Sequence, residues 1–92
     1  MQEVFERIAE DLQVLADPVR LGIVQYVLER KRAAAEEIYQ GLPLTQAAVD
    51  AHLEQLVAGG MLSAIQEEEA VFYEVANERL IQAVQVLFRR SV

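Results

Sequence analysis

The sequence predicts a mainly α-helical domain with one small β-hairpin, in the order helix, helix, helix, helix, hairpin, helix. Three observations carry that prediction. Apolar residues recur at helical spacing through most of the chain. Two short apolar runs lie close together between Met61 and Val75, and in the second Val71, Tyr73 and Val75 alternate with Phe72 and Glu74, which is strand spacing. Residues that start helices stand at Asp17, Thr45 and Asn77, each just ahead of an apolar-periodic segment.

Val4, Phe5, Ile8, Leu12 and Leu15 place an amphipathic helix over residues 2–15. Asp17-Pro18 is a start signal, with Asp as N-cap and Pro in the first turn. The second helix runs from about Val19 to Arg30, with Leu21, Val24, Val27 and Leu28 apolar. Arg30-Lys31-Arg32 closes it, where the helix dipole favours cations. A short third helix covers about Ala34 to Gln40, and Gly41 fits its C-terminal cap. After the connector Leu42-Pro43-Leu44, Thr45 caps a fourth helix that reaches about Ala58, with Val49, Leu53, Leu56 and Val57 inward. Gly59-Gly60 ends it. A short helix, a tight turn and a longer helix make a helix-turn-helix over about 34–58.

The run Met61 to Gln66 and the alternating run Val71 to Val75 read as strands joined by Glu67-Glu68-Glu69-Ala70. With no glycine to ease the turn, a longer or mobile tip is expected. Asn77 caps a last helix to about Arg90, with Leu80, Ile81, Val84, Leu87 and Phe88 apolar. A hairpin directly after a helix-turn-helix is a wing, here about 61–75. The fold read from the residues is therefore a winged helix-turn-helix, one domain over 1–92.

Composition narrows the function. Ninety-two residues suit one domain that buries only about 60–65% of its unfolded surface. An enclosed active site is not expected, and a second subunit would add stability. The absence of cysteine excludes disulfides, thiol redox sensing and thiolate metal sites. No apolar run approaches the roughly 20 residues needed to span a bilayer. The start, Met1-Gln2-Glu3-Val4, has no basic segment and apolar core of a signal peptide, so a cytoplasmic location and no membrane partner are expected. Ser63 and Ser91 are the only serines and neither has a base and orienter beside it in sequence. No enzyme activity and no cofactor are expected. The net charge of −7 works against a nucleic-acid partner, for which phosphate neutralisation supplies much of the affinity.

Four segments resemble the ArsR-type (ArsR/SmtB-like) winged-helix regulators. Leu15-Ala16-Asp17-Pro18-Val19-Arg20-Leu21-Gly22-Ile23 is similar to the family's "LADPTRLRIL". The segment from Leu44 to Leu53 is similar to "LSQSTVSHHL". Leu56 to Leu62 is similar to "LREAGLV", and Val71-Phe72-Tyr73-Glu74-Val75 to "VYYRL". Together they cover about Ile8 to Leu87 in order. The resemblance implies a homodimer paired through the first and last helices, and double-stranded DNA read by the fourth helix with the wing beside the backbone. In the family many members release DNA on binding a metal. One family metal site uses a Cys-x-Cys pair where this chain has Ala34-Ala35-Glu36-Glu37; another uses Asp and His on the last helix, which carries neither. No metal site is expected.

Within that frame the DNA-facing candidates are Thr45, Gln46, Ala48 and His52 on the fourth helix, with Arg30, Lys31 and Arg32 on the backbone. Gln46 can pair bidentately with adenine, and Thr45 can bond a phosphate. His52 has two readings: DNA-facing, or a half-buried ring bonded to nearby backbone. Arg20 reads as a structural ion pair with an acid. Arg89-Arg90 reads as helix-end compensation. Asp50, Glu54, Glu67, Glu68 and Glu69 stand where bases would help, and a carboxylate facing phosphate repels it. The dimer surface is expected from Val4, Phe5, Ile8 and Leu12 on the first helix and Leu80, Ile81, Val84, Leu87 and Phe88 on the last. Two functions stay open: a dimeric DNA-binding regulator without metal control, or a winged-helix module that has lost DNA binding and uses its acidic fourth helix and wing on a basic protein. A third is a small-molecule sensor with an apolar pocket between the last helix and the core.

Overall fold

Asp17 sets the first corner of the molecule. In the computed structural model, which describes residues 1–90, its side chain accepts from the backbone N–H groups of Val19 at 2.8 Å and Arg20 at 3.2 Å. Desolvation opposes the charge of this carboxyl, but those two N–H donors hold it below the usual Asp value. The cap separates α1 (Gln2–Leu15) from α2 (Pro18–Arg30). The chain then forms β1 (Ala33–Ala34), α3 (Ala35–Gly41), α4 (Gln46–Ala58), β2 (Leu62–Glu67), β3 (Ala70–Val75) and α5 (Glu78–Arg90). No helix among the described residues is long and apolar enough to cross a membrane. Ser91 lies outside them.

The architecture is the expected winged helix-turn-helix with one added strand. β1 pairs antiparallel with β3, matching Ala33 with Tyr73 and Ala34 with Phe72. The hairpin thus becomes a three-stranded sheet of order β1-β3-β2. Ala34 therefore lies in the strand and N-caps α3 instead of starting it. Its backbone N–H donates to Glu37 Oε1 at 2.9 Å, which satisfies one of the donors a helix start leaves open. Gly41 is the last residue of α3 rather than its cap.

The end of α4 is built by the two glycines. The N–H of Gly60 donates to the Val57 carbonyl at 3.0 Å and that of Met61 to the Leu56 carbonyl at 2.9 Å. This double closure requires a left-handed residue, and Gly60 supplies it at φ 78°. Gly59 is needed for a different reason. A Cβ there would lie 2.6 Å from Cγ2 of Val14, because α1 passes directly over the end of α4.

The wing tip differs from the long or mobile loop expected. β2 and β3 pair continuously from Leu62–Val75 to Glu67–Ala70. Only Glu68 and Glu69 turn the chain. Glu68 takes the left-handed conformation itself at φ 56°, and its carbonyl accepts from Gln66 Nε2 at 3.1 Å. The core sits under the sheet among α2, α4 and α5. Ile23, Val24, Val27, Val49, Leu53 and Leu56 are buried there with Met61 and Leu62. Each large apolar side chain so buried contributes about 1.5–3 kcal/mol.

Candidate nucleic-acid interface

The exposed start of α4 is fixed by its cap. Thr45 Oγ1 accepts from the Ala48 N–H at 3.2 Å, so the hydroxyl oxygen already serves the helix. Gln46 follows in the first turn and is exposed, whereas Ala48 is half-buried. Ala47 and Ala51 are also exposed, one turn apart. Ala47 was not among the expected contact residues. The signal available for it was spacing, since residues 47, 51 and 54 share a helix face.

Asp50 does not stand free on that face. Its carboxylate accepts from the Tyr39 hydroxyl on α3, and the residue is half-buried. The bond to Asp50, with burial, pushes the Tyr39 phenol up to about 12. Tyr73 on β3 is also raised, first by burial and then by the nearby Asp50 and Glu54 carboxylates. These two tyrosines and Asp50 bring α3, α4 and β3 together behind the exposed face of α4. Sequence spacing alone does not reveal this grouping.

His52 is half-buried, but its partner is a side chain rather than the backbone. Arg20 Nε donates to His52 Nδ1 at 3.2 Å, and Arg20 Nη1 donates to the Val14 carbonyl at 3.0 Å. The ion pair with an acid expected for Arg20 is replaced by this bridge. It ties α2 to α4 and to the end of α1. With Nδ1 accepting, the neutral ring carries its proton on Nε2.

The three basic residues after α2 separate. Arg30 lies over the Tyr26 ring, 3.9 Å from its centroid. Lys31 caps the helix at φ 68° and is exposed. Arg32 turns onto the outer face of the wing. It pairs with Glu67 on β2 and Glu74 on β3, each at 3.0 Å, and its guanidinium lies 5.0 Å from the Phe72 ring centroid. The hydrogen bonds to Glu74 and Glu67 raise the pKa of Arg32 further. Register explains the meeting, since Glu74 pairs with Ser63, Phe72 with Ile65 and Ala70 with Glu67, all on one face of the sheet. Of the five acids expected to face phosphate, Asp50 and Glu67 are thus engaged within the protein. Glu54, Glu68 and Glu69 are exposed.

The surface expected to pair with a second copy is only partly available. On α1, Val4 is 57% exposed, Phe5 62%, and Ile8 and Leu12 45% each. On α5, Leu87 and the unforeseen Val86 are exposed, while Leu80, Val84 and Phe88 are half-buried. Ile81 is a correction. It is 1% exposed and belongs to the protomer's own core, because the apolar stripe of α5 is wide enough to face inward and outward at once.

A groove between α5 and the core does exist, but Lys31, Glu74, Glu78, Gln82 and Gln85 line it. It is polar, not the apolar pocket expected there. Among the described residues, no three His, Asp or Glu side chains come together as a metal site would need.

Comparison with known proteins places these features. A helix-turn-helix domain family model matches residues 15–63, more than half of the chain. A probable mercury resistance operon repressor of Streptomyces lividans is 32% identical over 78 residues, covering 85% of this chain and 62% of that protein. The transcriptional repressor SmtB of Mycobacterium tuberculosis is 31% identical over 83 residues, covering 90% and 61%. The chain therefore spans about three fifths of the length of these curated relatives. Among solved structures, HlyU of Vibrio cholerae superposes with a TM-score of 0.88 at 25% identity, over 97% of this chain and 96% of that one. The transcriptional repressor PagR of Bacillus anthracis gives 0.84 at 26% identity, over 95% and 99%. A homodimeric winged helix-turn-helix DNA-binding domain of Mycobacterium bovis, described as a possible ArsR-family regulator, gives 0.81 at 26% identity, over 96% and 83%.

Proposed function

The chain belongs to the ArsR-type family of winged helix-turn-helix regulators, and we propose that it acts as a homodimeric DNA-binding transcriptional regulator without metal control. The observation that carries the reading is the state of α4. Its exposed leading face offers Gln46, Ala47 and Ala51, while Asp50 is withdrawn onto Tyr39. A short, neutral face lets the helix approach base edges closely, and Gln46 supplies the bidentate group that adenine accepts. Thr45 and the exposed Lys31 are the nearest phosphate contacts. The exposed Val4, Phe5, Ile8 and Leu12 supply the self-pairing surface, with Leu87 and Val86 from α5. Metal independence is supported by the absence of cysteine and by the engagement of His52 Nδ1 with Arg20.

The experiment is a titration of the purified protein against its own upstream DNA at about 50 and 200 mM salt. Specific binding that weakens steeply with salt is the expected result. No binding at the lower salt overturns the reading. It would favour the second one, in which exposed Glu54, Glu68 and Glu69 meet a basic protein.

A further inference from the structure

A cleft of about 240 Å³ opens between α2 and α3. Ile23, Ile38, Leu42 and the Tyr26 ring make its lining largely apolar, and Glu37 is the one carboxylate among its lining residues. Gly22 and Gly41 border it, and both lie within helices.

These two glycines differ from Gly59 and Gly60. Neither has a positive φ, and a Cβ built on either meets no atom within 4 Å. Nothing in the backbone or the packing demands glycine at either position. A glycine inside a helix is nevertheless destabilising relative to alanine. Gly22 lies in the interior of α2 and carries that cost, whereas Gly41 is the last residue of α3; both border the same cleft. At Gly22 the missing side chain keeps the cleft open against helix propensity.

We infer that the cleft binds a small aromatic ammonium compound. An apolar cavity of about 150 Å³ takes a benzene-sized molecule, so this one suits roughly ten non-hydrogen atoms. A planar ring fits beside Tyr26 and the aliphatic lining. Glu37 selects the charge. One of its oxygens holds the Ala34 N–H at 2.9 Å, and an ionised carboxylate has further acceptor sites for an ammonium group. The net charge of −7 favours cations over anions at long range, and Arg30, on the Tyr26 ring, is the cation nearest this lining. Any effect on DNA binding rests on the reading given above; the binding itself does not, and its test contains no DNA.

The probe is 2-phenylethylamine, titrated into the intact chain while the amide signals of the four glycines are followed by NMR. Gly22 and Gly41 shift and saturate at roughly 0.1–1 mM, the range open to so small a ligand, while Gly59 and Gly60 stay in place. The neutral analogue 2-phenylethanol binds about three- to tenfold more weakly, and 3-phenylpropionate does not bind. Gly22→Leu abolishes the shifts with an unchanged or raised melting temperature. Glu37→Gln keeps the α3 cap and loses the preference for the amine. The inference is overturned by unsaturable shifts, by equal shifts at all four glycines, by binding that survives Gly22→Leu, or by alcohol and amine binding alike.

Discussion

The Tyr39 hydroxyl donates a hydrogen bond to the Asp50 carboxylate, joining the two helices of the helix-turn-helix behind the exposed face of α4. The bond does two things at once. It fixes the angle between α3 and α4, and it turns a negative charge away from the surface proposed to meet phosphate. Tyr39→Phe should destabilise the protein by about 1 kcal/mol in urea unfolding. It should also weaken operator binding more than that loss explains, because Asp50 becomes free to face the DNA.

The same bond predicts an alkaline limit. The bond to Asp50, with burial, pushes the Tyr39 phenol from its ordinary 10.0 up to about 12. The folded state holds the proton more tightly, so this contribution is complete below pH 10 and is lost as pH rises through about 12. Ultraviolet titration should show one tyrosinate appearing last, and Tyr39→Phe should remove that late step. A late step that persists in the variant refutes the assignment.

Arg32 is held by Glu67 and Glu74 on the outer face of the wing. Replacing both acids by glutamine frees a cation beside the proposed DNA path. Operator affinity should rise, and the salt dependence should steepen by about one phosphate contact. Arg32→Ala should do the reverse with little change in melting temperature, since all three side chains are substantially exposed.

Gln46 is exposed in the first turn of α4. Gln46→Ala should leave the fold intact and cost roughly 1–3 kcal/mol at the specific site, with nonspecific binding nearly unchanged. Equal losses on both DNAs would instead identify a phosphate contact.

Gly59 admits the Val14 side chain where α1 crosses the end of α4. Gly59→Ala should cost about 1–3 kcal/mol by overpacking. Combining it with Val14→Ala should recover part of that loss, a coupling that a double-mutant cycle measures directly.

Phe5 is the most exposed of the four apolar residues expected on the pairing face of α1. Phe5→Asp should convert the proposed dimer to a monomer in sedimentation and abolish cooperative DNA binding. A dimer that survives the change moves the interface elsewhere.

Local signals in the sequence were sufficient for most of the fold. Asp17-Pro18, Thr45, Asn77 and Gly59-Gly60 each act within a few residues, and each stands at a helix end in the structure. β1 was not legible because two alanines are too short to show any alternation; only their pairing with Tyr73 and Phe72 defines them. The site was less legible than the fold. Arg32 and Glu67 are 35 residues apart, and Arg20 and His52 are 32 apart. No sequence period links such pairs. Ile81 was misplaced for a related reason: periodicity shows that a face is apolar but not which neighbour covers it.

The extra strand also bears on how the protein behaves in concentrated solution. A bare hairpin has two flanks on which a foreign strand can grow. Here β3 is central, one flank is capped by a strand only two residues long, and the other flank, β2, ends in Glu67 and a tight two-residue turn. Brevity on one side and charge on the other make both flanks poor templates for strand addition. The acidic wing that handicaps an approach to phosphate thereby also guards the sheet against aggregation.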